Sequence, residues 1–140
     1  MAETHAPGRN WAGTYTYRAE KLHRPTTMEQ VQQIVANAAS VHVLGSRHSF
    51  NDIADSSELI SLENLPADVV VDHEAHTVSF GGGLKYDNLV KTLNDEGVAL
   101  HTLASLPHIS VAGAGDARLG RHLWQPGDRG RGGGDRDVQR

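Results

Sequence analysis

The most restrictive feature of this chain is a break in composition near residue 115. Residues 115–140 contain six Arg, four Asp and seven Gly, but no Lys and no Glu. From Arg118 to Arg140 the only large apolar residues are Leu119, Leu123, Trp124 and Val138. Such a stretch buries too little surface to offset its own ordering entropy. A core must therefore come from residues 1–114, which suffice for one domain of ordinary size. Aromatic residues make up 5% of the chain, so that core rests on Val, Leu, Ile and Ala.

The 115–140 segment has two readings. The first is a disordered basic tail. The second is an off-frame stretch of a GC-rich gene. Leu123 to Val138 can be encoded by codons that, read one nucleotide later, give SGNLATAVAAVEIVT. That string is an apolar segment followed by a strand-like EIVT, so a frameshift shortly after Ala114 is the expectation to test by sequencing the gene.

Charge and cysteine content narrow the function classes. The net charge is −4 and the isoelectric point about 6.1, which argues against a nucleic-acid partner. Residues 1–114 hold 7 basic and 13 acidic groups, a net of −6. With no cysteine, a disulfide framework and thiolate metal sites are excluded. No apolar run reaches the roughly 18 residues of a membrane span. The opening MAETHAPGRNW has no basic region followed by an apolar one. A cytoplasmic protein without membrane contact is expected.

Local patterns predict an α+β fold with mixed sheets. Asn10 to Tyr17 alternates Thr and Tyr, as in a short strand or an extended arm. After Pro25, Thr26 and Glu29 have capping-box spacing. Met28, Val31, Ile34 and Val35 then recur at helical spacing, predicting a helix over 27–39. Val41 to Leu44 and Leu59 to Leu65 read as strands. Val69 to Val71 and Thr77 to Phe80 read as a hairpin around His73-Glu74-Ala75-His76. Gly81-Gly82-Gly83 leads to a helix over about 85–96, with Leu89, Val90 and Leu93 as its apolar face and Gly97 as C-cap. Val98 to Leu100 is a further short strand.

Two loops could carry chemistry. The first, Val43-Leu44-Gly45-Ser46-Arg47-His48-Ser49-Phe50, comes directly after a core strand. Its glycine admits close backbone approach. Successive N–H groups, the Ser46 and Ser49 hydroxyls and the Arg47 guanidinium suit an anionic diphosphate. The same pattern also fits an ordinary loop, and it is neither a Walker loop nor the dinucleotide fingerprint. The second, Ala104 to Gly113, sets Ser105 and Ser110 about Pro107 and offers N–H groups to a flat or anionic ligand, or serves as a plain connector. His73 and His76 stand three apart without an evident third ligand, so no metal site is assigned. No Gly-x-Ser-x-Gly elbow supports hydrolysis.

Four segments together resemble a known family. They are N-W-A-G-T-Y-T-Y from Asn10, V-x-V-L-G-S-R-H-S-F-N from Val41, S-F-G-G-G-L-K-Y from Ser79 and A-S-L-P-H-I-S-V-A-G from Ala104. In this order they resemble the N-terminal part of the alditol oxidases, which are vanillyl-alcohol-oxidase-type flavoproteins. The off-frame string is similar to the next segment of such proteins. The resemblance implies that residues 10–114 form the N-terminal part of a PCMH-type FAD-binding domain, with FAD between two small α+β subdomains.

Carried over residue by residue, the resemblance makes His48 the residue bonded to the flavin 8α-methyl group. Gly45, Ser46, Arg47 and Ser49 would contact the diphosphate, flanked by Val43, Leu44 and Phe50. Arg47 stands where several relatives have Gly. Ser105 and Ser110 match flavin-site serines, with Ser105 also near the substrate, and Gly113 begins the next flavin-contacting stretch. The implied reaction oxidises the CH–OH group of a polyol, with oxygen as acceptor and hydrogen peroxide as product. No catalytic side chain is assigned within the chain, and the chain alone is expected to be inactive. An aldonolactone oxidase shares a G-x-x-H-S turn and is the alternative within the superfamily. A non-catalytic module with a basic tail is the alternative outside it.

Overall fold

The computed structural model describes residues 7–100, 103–114 and 123–124. Two small units succeed one another along the chain, each with its own apolar cluster.

The first unit contains strand β1 (Lys21–His23), helix α1 (Met28–Asn37), strand β2 (Val41–Val43) and strand β3 (Glu58–Ile60). All three strands are parallel, in the order β1-β3-β2, with Leu22 and His42 both paired to Leu59. Leu22 and Leu59 are fully buried and pack with Tyr17, Ala19 and Leu44. The N-cap of α1 is Thr27, one residue later than the spacing predicts. Its hydroxyl accepts from the Gln30 amide (3.3 Å), while Gln30 Oε1 accepts from the Thr26 amide (2.8 Å). Glu29 instead bends back to its own amide and the Thr27 hydroxyl, which hold its carboxyl below its usual range. The expected apolar face of α1 is only partly covered, and Met28 and Val35 stay exposed among the described residues.

Two further expectations change here. Asn10 to Tyr17 forms a doubled-back arm rather than a strand, closed by Asn10 N–H to Tyr15 C=O (2.9 Å) and Tyr17 N–H to Gly8 C=O (3.0 Å). The strand expected over Leu59 to Leu65 ends at Ile60, because a Leu65 N–H to Leu62 C=O turn precedes Pro66.

The second unit opens with the antiparallel hairpin of β4 (Val69–Asp72) and β5 (Thr77–Phe80). The Asp72 carboxylate accepts from the Glu74 and Ala75 amides (3.0 and 2.8 Å), an Asx-turn that starts the reversal. Helix α2 (Tyr86–Asp95) buries Tyr86, Leu89 and Leu93. Those three, at i, i+3 and i+7, form the inward face, and Val90, which the sequence reading places with Leu89 and Leu93, lies at its edge, 37% exposed. Strand β6 (Ala99–Leu100) pairs antiparallel with β7 (Leu123–Trp124). Those two residues are the described part of the 115–140 segment. The disorder and reading-frame expectations for the rest lie outside the described residues.

The combination of a parallel sheet, antiparallel pairs and flanking helices is the α+β arrangement expected. Residues 109–111 lie along the start of α2, through Tyr86 N–H to Ile109 C=O (3.1 Å) and Val111 N–H to Leu84 C=O (2.9 Å). Gly83 brings the second unit against the first. A Cβ there would lie 2.1 Å from Leu62 C=O oxygen, so only glycine permits the contact. Among the described residues, no helix is long and apolar enough to cross a membrane.

Candidate cofactor site

Strand β2 delivers the chain to the first candidate loop. Leu44 is buried and donates its amide to Ile60 C=O (2.9 Å), after which the backbone leaves the sheet at Gly45. Among the described residues, none of the amides of Gly45 to Ser49 donates a hydrogen bond. A run of free turn amides is an anion-binding concavity. Arg47 sits at φ 65°, a left-handed conformation that costs a non-glycine residue about 1–2 kcal/mol.

The N-terminal arm holds that conformation in place. Trp11 N–H donates to Arg47 C=O (2.7 Å), and Asn10 Nδ2 donates to Ser49 C=O (2.9 Å). Asn10 is buried, and its side-chain oxygen accepts from the Tyr15 amide (3.0 Å), so the arm itself is braced. Both backbone neighbours of His48 are therefore stapled.

The His48 ring has three neighbours of its own. Trp11 stacks on it, with centroids 5.0 Å apart and planes 19° from parallel. Its Nδ1 lies 3.2 Å from Ser46 Oγ, and its Nε2 lies 3.1 Å from His108 Nε2. The Ser110 amide approaches Ser46 Oγ at 3.4 Å and, as an amide, only donates.

Between the two units lies a cleft of about 650 Å3. The first unit lines it with Trp11, residues 43–48, Leu62 and Glu63, and the second with Gly82, Gly83 and Lys85, with His108, Ser110 and Gly113 joining them. Of the residues expected from sequence, the structure thus brings together Val43, Leu44, Gly45, Ser46, Arg47, His48, Ser110 and Gly113. Ser49 lies beside the cleft with a buried hydroxyl. Phe50 and Ser105 are exposed and do not line the cleft. His73 and His76 serve other ends: His73 Nε2 lies 3.1 Å from Glu96 Oε2, and His76 takes the left-handed turn position at φ 53°. Among the described residues, no three His, Asp or Glu side chains are grouped to hold a metal.

The residues present suit a phosphate-bearing cofactor. Ser110 Oγ is buried without a hydrogen-bond partner among the described residues. Gly45 and Gly113 both keep space open around it, since a Cβ at either would come within 2.8 or 2.5 Å of that oxygen. Sequence patterns do not single out Asn10, Trp11, Lys85 and His108 as site residues. All four sit inside the family-like segments, but only their backbone path shows what they touch.

Comparison with known proteins agrees with this geometry. The FAD binding domain family matches residues 19–123. Alditol oxidase from Streptomyces sp. (strain IKD472 / FERM P-14339) is 47% identical over 109 residues, covering 75% of this chain and 26% of that protein. L-gulonolactone oxidase from Scyliorhinus torazame is 32% identical over 109 residues, covering 74% of this chain and 25% of the relative. The chain thus spans about a quarter of the length of these relatives. The crystal structure of cholesterol oxidase from Brevibacterium sterolicum superposes with a TM-score of 0.69 at 15% identity, over 81% of this chain and 23% of that one, which shows a shared fold. With a parallel three-stranded unit and an α+β companion facing each other across a turn of free amides, the chain belongs to the FAD binding domain family.

Proposed function

We propose that this chain is the cofactor-holding part of an FAD-dependent alditol oxidase, which oxidises the CH–OH group of a polyol with oxygen as acceptor and yields hydrogen peroxide. The observation that carries the reading is His48, held at the cleft between Trp11, Ser46 and His108 in a chain 47% identical to an alditol oxidase. Bound FAD supplies the hydride-accepting chemistry. The chain's own residues bind and orient it. The amides of Gly45 to Ser49 and the Arg47 guanidinium hold the diphosphate. Trp11 and His108 fix the His48 ring, which would carry the bond to the flavin 8α-methyl group. Ser105 and Ser110, on the loop that docks against α2, contribute flavin contacts, and Ser105 also meets the substrate.

The test is acid precipitation of the protein after incubation with FAD. The wild-type precipitate is expected to be yellow and to carry a mass adduct of one FAD. His48→Ala should bind FAD reversibly and lose all acid-stable colour. A colourless wild-type protein that binds no flavin would favour a non-catalytic module. The likeness to L-gulonolactone oxidase supports a lactone as the second substrate class. Comparing xylitol and sorbitol with L-gulono-1,4-lactone, using the full-length protein that carries this chain, separates the two, and preferential lactone turnover overturns the alditol reading.

A further inference from the structure

The loop that docks against α2 brings a second imidazole to the cofactor turn. His108 lies 60 positions after His48, yet the two Nε2 atoms are 3.1 Å apart, with ring centroids at 5.0 Å and planes 45° from parallel. The backbone of His108 is fixed on both sides. The Pro107 and Ile109 carbonyls accept from the first amides of α2, Asp87 N–H (2.9 Å) and Tyr86 N–H (3.1 Å), which have no partner within the helix. His48 is held in the same manner, since the carbonyls of Arg47 and Ser49 accept from the arm. The two rings therefore meet because each unit holds its own in place, and Trp11 stands beside both.

Two facing ring nitrogens at this distance hold a single proton between them, because two lone pairs or two N–H groups would repel. Either imidazole can carry that proton, so it can pass from one ring to the other. A backbone carbonyl or a carboxylate is the commoner partner for such a ring. Among the described residues, no carboxylate is bonded to His48 or His108. Glu63, the acidic side chain lining the cleft, is engaged by Arg24. On its other side, His48 Nδ1 faces Ser46 Oγ at 3.2 Å, a hydroxyl whose proton can turn away. One nitrogen of His48 thus faces a base, and the other faces a group that can release it.

We propose that His108 is a positioning residue for cofactor attachment, and that its Nε2 accepts the proton that His48 Nε2 gives up as His48 Nδ1 bonds to the flavin 8α carbon. The proposal rests on the reading that His48 carries the flavin. A neutral imidazole has one lone pair and one N–H, so a ring that bonds carbon through the lone pair stays cationic unless the N–H proton leaves. In this step the C–N bond forms from the Nδ1 lone pair and one methyl C–H bond breaks. The electron pair of that C–H bond reduces the flavin ring, and oxygen reoxidises the ring to give hydrogen peroxide. The methyl proton goes to solvent and the Nε2 proton to His108, and these two balance the protons that the peroxide takes up. Afterwards His48 Nε2 can only accept, and His108 becomes the donor across the same 3.1 Å.

The test follows acid-stable flavin and the mass adduct over time in the 140-residue chain incubated with FAD, in wild-type, His108→Ala and His108→Gln forms. Reversible FAD affinity is read at the start of each incubation. His108 is exposed, so neither substitution should unfold the chain. His108→Ala is expected to slow adduct formation by about 100-fold, the low end of what a positioned proton acceptor contributes. Its reversible FAD affinity should not change. His108→Gln can still hydrogen-bond to His48 but cannot take its proton, so it should be as slow as His108→Ala. Added imidazole should speed His108→Ala and leave His108→Gln unchanged. Adduct formation at the wild-type rate in either variant overturns the proposal, since the hydrogen bond or the bare turn would then suffice. So does a slow His108→Ala that imidazole does not speed, or one whose loss follows weaker FAD binding. A wild-type chain that binds FAD and never forms the adduct removes the His48 linkage itself, and the proposal with it.

Discussion

Arg47 concentrates the tension in the site. Its left-handed backbone at φ 65° costs about 1–2 kcal/mol relative to glycine, whose own added chain entropy returns about 0.5–1 kcal/mol. The arm's bond from Trp11 N–H holds it there. Arg47→Gly should therefore raise stability by about 0.5 kcal/mol, a rise of a few degrees in melting temperature for a domain of this size. The same change removes a cation from the turn, so it should weaken ADP or FAD binding while the protein becomes more stable. Calorimetry and titration on one sample read both. A variant less stable than wild type would show that the guanidinium, which reaches Arg9 C=O at 3.5 Å, contributes more than the backbone costs.

At the scale of elements, the site depends on how closely the two units approach. Gly83 sets that distance, because any side chain there would run into Leu62 C=O. Gly83→Ala should push the β5–α2 connection away from the first unit and widen the cleft. We expect it to destabilise the protein by about 1–3 kcal/mol, as overpacking does, and to lower FAD affinity more than Leu89→Ala does. Leu89 is fully buried on α2, so its truncation costs about 2–5 kcal/mol in the second core without moving the cleft wall. Equal binding losses at equal stability loss would mean that Gly83 has no special bearing on the site.

These elements also show what the residues disclose in advance. The hairpin, α2 and the Gly45–Ser49 turn are legible because each is specified locally, by alternation, by helical spacing or by a glycine after a strand. The parallel β1-β3-β2 order is not legible, since Glu58 pairs with residues 17 and 37 positions earlier and short strands carry no register signal. The capping shift to Thr27 turns on whether Glu29 or Gln30 reaches back, a choice that spacing leaves open. Of the site, the motif residues are legible. The stapling by Asn10 and the stacking by Trp11 are not, because both are contacts across more than 35 residues.

For the molecule as a whole, charge is distributed so that acid should attack the two units unequally. Among the described residues, three carboxylates sit below their usual range, and all belong to the first unit. Burial pushes Asp55 up, but donation from the Arg18 amide, the Tyr15 hydroxyl, the Ser56 amide and the Arg18 guanidinium outweighs it. His23 first and Lys21 second hold Glu58 down, at 2.6 and 3.2 Å. Glu29 is held down at the start of α1. A carboxyl whose folded pKa lies below its unfolded one contributes stability that is present above about pH 4 and lost as pH falls through the folded value. Hydrogen exchange followed from pH 6 downward should therefore show amides of β1, α1 and β3 losing protection at a higher pH than those of β5 and α2. Asp55→Asn should flatten the first-unit dependence without altering the second. If both units open at one pH, the cleft contacts couple them into a single cooperative body, and the unequal placement of the three carboxylates has no consequence for unfolding.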